Sequence, residues 1–562
     1  MGEMGQLEAL SYLPTDVQLM VLDYVGLYPD ILALCLTSKS WNLIATKVLY
    51  KNIVLDIRTR NGQLSLFRQC LEVGAFRHLE YARNLSLLDV PIFECNKILP
   101  NKAPWIHGER DALLLQILQS FPSNKLITFR YLSQLDLDPS IINLLQKQQQ
   151  SIVDFQLSHG NFQQLVTPMT RRVTAGVCGD GQKTFGLVEL AQTLPRLEKF
   201  ALLLPKELDV FLLEDYWSRC SYSTLFQNKQ IVSRELMFDG YLPGGFVSAI
   251  PHIFNLSHIT RLSLYADNFW YWKPLFSSPE LRNLTHFDFH SPDSFDVRKS
   301  MDFEDLFTQN QNLQHLSLHM RFLKTVPLEP LLADDGSTMS SYIWPLCPRL
   351  KSLSLFDLWS VEKRVSYFPS MASLDAICDE LGALEQFGLR VAEIGGCLLA
   401  DAHDRQKYVL GQLKPIGKLK NLKMLHLYQD RLRIIDPDQP RRNVAAETQQ
   451  LATMLFQWAH VLCPDLEVLV WGRFTETLDK DVYSLLEDQL EREGSLATNE
   501  NVERVPQQYY VKQVTRLQGG ATHVTAIPFS RRRIQNEFPD LDLLACDTSL
   551  GTLDRISRDI VY

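Results

Sequence analysis

The stretch Gly176-Val177-Cys178-Gly179-Asp180-Gly181-Gln182-Lys183-Thr184 has the ingredients of a phosphate loop, in which glycine amides cradle phosphate oxygens and a lysine neutralises them. In such a loop the lysine follows the last glycine directly. Here Gln182 intervenes, so the cradle fails. The chain contains neither GxSxG, which would present a nucleophilic serine, nor HExxH, which would hold zinc. No intrinsic enzymatic activity and no cofactor are expected. The histidines offer more. In His286-Phe-Asp288-Phe-His290 and His315-Leu-Ser317-Leu-His319, alternation throws the polar residues onto one face of a strand. If the two strands are adjacent and in register, four histidines and an aspartate share one patch. Three chemistries are open to it: plain polar recognition, an affinity that changes as imidazoles protonate, and zinc ligation.

A repeated phrase positions those residues: an apolar residue, two variable ones, then apolar-x-apolar. Clear copies include Leu262-Ser-Leu264 after Ile259, Phe287-Asp-Phe289 after Leu284, Leu316-Ser-Leu318 after Leu313 and Leu353-Ser-Leu355 after Leu350. Further copies centre on Phe200, Phe387, Leu425 and Leu469, and weaker ones on Leu85, Phe129, Phe155 and Leu236. Intervals of 25 to 29 residues fit a plain leucine-rich repeat of one strand and one helix, and intervals up to 45 imply insertions such as 321–346 and 429–441. Two close apolar residues in each copy point into the core, so their neighbours face outward along the concave sheet. The outward set is Arg261 and Tyr265, then His286, Asp288 and His290, then His315 and His319, then Phe356, Arg390, His426 and Tyr428. These are the candidate target-binding residues.

Ahead of the repeats, residues from Leu13 to Ile53 pack three short helical patterns into about forty positions. Pro14 suits a helix start and Gly26 its stop. Val17, Met20, Val21, Tyr24 and Val25 form one apolar stripe. Asp30 is placed to cap Ile31–Leu36, and Trp41, Ile44, Ala45, Val48 and Leu49 form a second stripe. A segment this small and this apolar needs a partner, which is either the chain that follows or another protein. Leu13-Pro14, the Val17/Val21 stripe, Asp30-Ile31-Leu32 and Ser38 through Trp41 resemble the F-box motif in order and spacing, over residues 10–52. The resemblance implies docking on the Skp-type adaptor subunit of a cullin-RING ubiquitin ligase through Leu13, Pro14, Val17, Val21, Leu32 and Leu36, with Trp41 holding the helices together.

The fold class expected is α/β: an F-box at 10–52, then an irregular leucine-rich-repeat solenoid at 53–474, with its parallel sheet on the concave face and helices outside. A C-terminal α+β cap is expected at 475–562, from a helical pattern at Leu478–Glu493 and strand-like runs at Tyr509–Val514 and His523–Ile527. The chain has 562 residues, a net charge of −9 and dispersed basic residues, with Arg531–Arg533 the one compact cluster, which argues against general nucleic-acid binding. Ten cysteines include no CxxC pair, so neither a zinc ribbon nor a disulfide framework is expected. No apolar run reaches the roughly 18 residues of a membrane span, and a cytoplasmic or nuclear protein without membrane partners is expected. The expected function is that of a substrate-recognition adaptor in an SCF-type ligase. The alternative is a leucine-rich-repeat scaffold or binding protein acting outside a ligase.

Overall fold

The computed structural model describes residues 13–24, 28–57, 75–88, 108–133, 137–157, 165–176, 196–203, 230–239, 242, 244–265, 272–295, 303–322, 344–357, 371–390, 409–428, 431–433, 444–472, 502–504, 508–517, 520–529, 533–534 and 537–541. They fall into two units that divide between Ile259 and Thr260. Among the described residues no helix is long and apolar enough to cross a membrane.

The first unit opens with helices α1 (Thr15–Tyr24), α2 (Tyr28–Thr37) and α3 (Lys39–Lys51). Helix α1 starts directly after Pro14, whose carbonyl accepts the Gln18 N–H at 3.0 Å. Pro29 is the second residue of α2, where a missing N–H costs nothing. The helix therefore begins ahead of Asp30, which the sequence placed as a cap. Ser38 does cap α3: its backbone is extended and its hydroxyl accepts the Trp41 N–H at 3.2 Å. The rest of this unit is built on parallel strands in chain order: β1 (Asn52–Asp56), β2 (Asn84–Leu88), β3 (Thr128–Leu132), β4 (Asp154–Leu157), β5 (Arg172–Gly176), β6 (Leu197–Leu203) and β7 (Ser233–Asp239). Helices α4 (Glu109–Gln119), α5 (Pro139–Gln148) and α6 (Gly244–Ile253) lie in the connections or follow the last strand.

The second unit repeats the plan with β8 (Arg261–Tyr265), β9 (His286–Phe295), β10 (His315–Phe322), β11 (Ser352–Asp357), β12 (Gln386–Arg390), β13 (Met424–Tyr428) and β15 (Val468–Trp471), all parallel. A separate antiparallel pair joins β14 (Arg431–Arg433) to β16 (Val502–Arg504). Its helices are α7 (Lys273–Phe276), α8 (Glu304–Gln309), α9 (Met371–Glu380) and α10 (Val444–Leu462). Every one of the twelve central residues read from the repeat phrase lies on a strand. The 45-residue gap from Phe155 to Phe200 hides one more, β5, centred on Val173.

Each repeat is stitched to the last by the same backbone device. In the turn before the strand, the carbonyls of Asn310, Cys347, Leu381, Leu419 and Cys463 each accept an N–H from three residues on, at 2.9–3.3 Å. Two successive N–H groups then share one carbonyl of the preceding repeat, as Gln314 and His315 share Thr285 at 2.9 and 3.0 Å. The first turn residue fills a fully enclosed site. Cys347 and Cys463 are completely buried there; burial pushes the Cys347 thiol up to about 12 and raises that of Cys463, whose Sγ donates to the Ile416 carbonyl at 3.3 Å. Both are inert packing groups.

Asn310 does more at this position. Its Nδ2 donates to the carbonyls of Leu281 (2.7 Å) and Leu306 (2.8 Å), and its Oδ1 accepts the Leu284 N–H at 2.8 Å. Replacing it by alanine strands two buried backbone groups, the Leu281 carbonyl and the Leu284 N–H, each worth about 1 kcal/mol or more, while the Leu306 carbonyl keeps the Asn310 N–H at 3.1 Å. We expect Asn310→Ala to destabilise the β9–β10 region by about 2–3 kcal/mol, read as faster amide exchange there.

The parallel series is followed by a hairpin, β17 (Gln508–Arg516) and β18 (Thr522–Phe529), added antiparallel to β15. The strand runs expected at 509–514 and 523–527 are this hairpin; the helical pattern at 478–493 lies outside the described residues. The outer edge of β18 is covered by one side of α10. Gln449 Nε2 and Gln457 Nε2 donate to the carbonyls of Ala526 and Val524 at 3.0 and 3.1 Å, and Thr453 Oγ1 accepts the Ala526 N–H at 3.1 Å. The spacing 449, 453, 457 is one helix face meeting the two alternate strand residues that turn their backbone groups outward.

Candidate protein-interaction sites

The three N-terminal helices close on a small core of Leu22, Ile31, Trp41, Ile44 and Ala45, with Leu19, Val21, Leu34, Cys35, Val48 and Leu49 packed against it. Trp41 is at its centre and Asn42 Nδ2 ties α3 to the Cys35 carbonyl at 2.9 Å. Because Ile31, Leu34 and Cys35 turn inward, Leu32 and Leu36 one turn apart on α2 point out, 47% and 84% exposed. Val17 and Pro14 are exposed as well, Leu13 is half-buried, and Val21 packs toward the core rather than standing clear of it. The buried face of α1 carries Gln18 and Leu22 in place of the stripe starting at Val17. A further apolar side chain, Leu43 on α3, is 59% exposed next to the Asn42 contact. Its signal in the sequence was its place off the Trp41/Ile44/Ala45 stripe.

Residues 10–56 match the family model described as F-box-like. The N-terminal helices are thus an F-box-like module, a non-catalytic unit of protein interaction, here with a core that is complete without Leu32, Leu36 and Val17. No curated protein matches this chain. The F-box-like module is followed by a repeating α/β array, and the sheet of its second unit carries the other candidate residues.

On the side of that sheet away from the buried Phe287/Phe289 and Leu316/Leu318 pairs, the register forms rows. In the first, Arg261 lies beside His286, His286 beside His315, and the row runs on through Ser352, Gln386, Met424 and Val468. The imidazoles of His286 and His315 stack with centroids 4.0 Å apart and planes 11° apart, both half-buried, and Thr285 Oγ1 stands 2.8 Å from His286 Nδ1. In the outer row Tyr265, His290, His319 and Phe356 are consecutive partners, as are Arg390 and Tyr428; the side chains of these six lie outside the described residues. The two histidine strands are therefore adjacent and in register, with His286 beside His315 and His290 beside His319.

The middle row differs from expectation. Asp288 and His426 are buried, not displayed. Strands stand about 4.8 Å apart, so a short side chain in this row is walled in by its neighbours. Asp288 sits between Ser263 and Ser317, accepts the Ser263 hydroxyl at 2.8 Å and has the Arg261 Nε at 3.8 Å. His426 sits between Gly388 and Val470, and its Nε2–H donates to the Gly472 carbonyl at 3.1 Å. Among the described residues, no group of three or more His, Cys, Asp or Glu is arranged to hold a metal ion.

Proposed function

We propose that this chain is a substrate-recognition adaptor of an SCF-type ubiquitin ligase, with the F-box-like module docking on a Skp-type adaptor and the repeat sheet holding a target protein. The observation that carries this reading is the apolar surface at Leu32, Leu36 and Val17 on a module matched as F-box-like. Exposed leucines one turn apart are what an amphipathic helix offers a partner groove, and both lie outside the module's own core. The leucine-rich-repeat character of the array is read from its phrase, its parallel strands in chain order and its uniform turn. The chain's contribution is proximity: a target held at one end and the conjugating machinery at the other raises the effective concentration of target lysines, with the bond chemistry left to the partners. A scaffold acting outside the ligase would bind the adaptor without recruiting cullin. The test mixes full-length chain, Skp-type adaptor and cullin–RING subunits and follows co-elution. One complex of all components is expected; capture of adaptor alone favours the scaffold, and capture of neither removes the ligase reading.

A further inference from the structure

The chemistry of the sheet face changes along the second unit. Its middle row reads Ser263, Asp288, Ser317 and Ser354, passes Gly388 and His426, and ends in Val470 and Tyr509. The first row likewise passes from Arg261, His286 and His315 to Met424, Val468 and Val511. An apolar strand face so far from the helix side has no role in the repeat core, whose leucines lie on the opposite face.

It is occupied by the chain itself. Ile534, Phe538 and Leu541, from the segment after β18, pack on Met424, Val468, Val470, Tyr509 and Val511. The spacing i, i+4, i+7 is one helical stripe, and the backbone there is turned accordingly: the Phe538 N–H reaches the Ile534 carbonyl at 2.7 Å and the Leu541 N–H the Phe538 carbonyl at 3.1 Å. Arg533 Nε bonds Glu537 Oε1 at 2.8 Å within the same turn, and its guanidinium lies 3.8 Å over the Phe529 ring. Gln386 Nε2 donates to the Asp540 carbonyl at 3.1 Å. The seat thus takes an apolar stripe plus one main-chain carbonyl, a mode of recognition that reads little of the segment's exact sequence.

We propose that the face formed by β12, β13, β15 and β17 is a peptide-binding site whose resident ligand is residues 533–541, and that it exchanges this segment for an amphipathic helical turn of a target protein with bulky apolar residues at i, i+4 and i+7. The proposal rests on the reading that this sheet receives the target, but its test uses neither adaptor nor cullin, so the two can fail separately. The probe is a labelled synthetic peptide of residues 531–545, offered to the full-length chain and to a chain ending at Ser530. The shortened chain is expected to bind the peptide at least tenfold more tightly than the full chain does, and a peptide with Phe538→Asp is expected not to bind. A folded shortened chain that ignores the peptide overturns the proposal.

Amide exchange on the unaltered full chain decides the case even where the shortened chain does not fold. Release of the segment alone predicts that the Phe538 and Leu541 amides exchange at least tenfold faster than the Val468 amide, which bonds the Lys423 carbonyl at 3.0 Å. Equal protection makes the segment a fixed part of the sheet and overturns the exchange.

Discussion

A chain carrying Leu32→Lys and Leu36→Lys is expected to lose adaptor binding by about 10²–10³-fold while unfolding like the parent. Leu36 is largely and Leu32 about half solvated, and both positions stay helical with lysine, whose propensity is close to that of leucine, so the folded module loses little. Leu36 is also next to last in α2, where a cation meets the negative end of the helix dipole. Binding is another matter. An apolar anchor buried at an interface contributes on the order of 2 kcal/mol, and a lysine there would have to desolvate its charge. Leu34→Ala is the contrasting variant: Leu34 packs against Leu22, Ile31 and Trp41, so that change should loosen the module and weaken binding only through folding. Calorimetric titration with the adaptor, alongside helix content by circular dichroism, separates the two. Adaptor affinity within threefold of the parent for the double lysine variant would falsify docking through α2.

Phe287→Ala should be the most damaging single change in the repeat sheet, at about 3–5 kcal/mol. Phe287 is fully buried on β9, with Phe276, Phe303 and Phe307 rings at 5.8, 6.0 and 6.4 Å in edge-on arrangements and Phe289 at 6.3 Å. Truncation leaves a ring-sized cavity and removes the edge-to-face contacts that make such clusters stronger than their area implies. The rings come from β9, α7 and α8 with Phe303 ahead of it, so the damage should centre there and fade with distance, as nearest-neighbour coupling in repeat arrays predicts. Amide exchange resolves this: protection in β9 and β10 should fall by about two to three orders of magnitude. Phe287→Leu, which keeps most of the volume, should cost less than about 1.5 kcal/mol. Equal losses for the two variants would mean that the cavity is not what matters.

The array was legible because its pattern is redundant. A buried pair on alternate residues recurs at Leu262/Leu264, Phe287/Phe289 and Leu316/Leu318, and each copy supports the period of the others. β5 was hidden because its pair is Val173 and Ala175, with Thr170 where the other copies place a leucine; a strand held by neighbours on both sides tolerates so weak a signature. Similarly, α1 offers Leu19, Met20, Val21 and Leu22 in succession, so periodicity alone admitted more than one buried face, and contact with α3 selected Gln18 and Leu22. Register was predictable from spacing, which placed His286 beside His315. Burial was not: nothing in the local sequence of Asp288 or His426 says that adjacent strands enclose them. Nor does the phrase at Met424 or Val468 announce that a segment more than sixty residues downstream will cover it.

The three side chains at 449, 453 and 457 also set how the array can grow. A terminal strand with free amides would invite a second molecule to add its own strand, and with it the start of a fibre. Here the Val524 carbonyl and both backbone groups of Ala526 are already bonded to a helix from the same chain. An engineer wishing to lengthen the sheet should therefore insert whole repeats upstream of β15, among the parallel strands whose neighbours are interchangeable. Anything appended beyond β18 would have to evict α10 first.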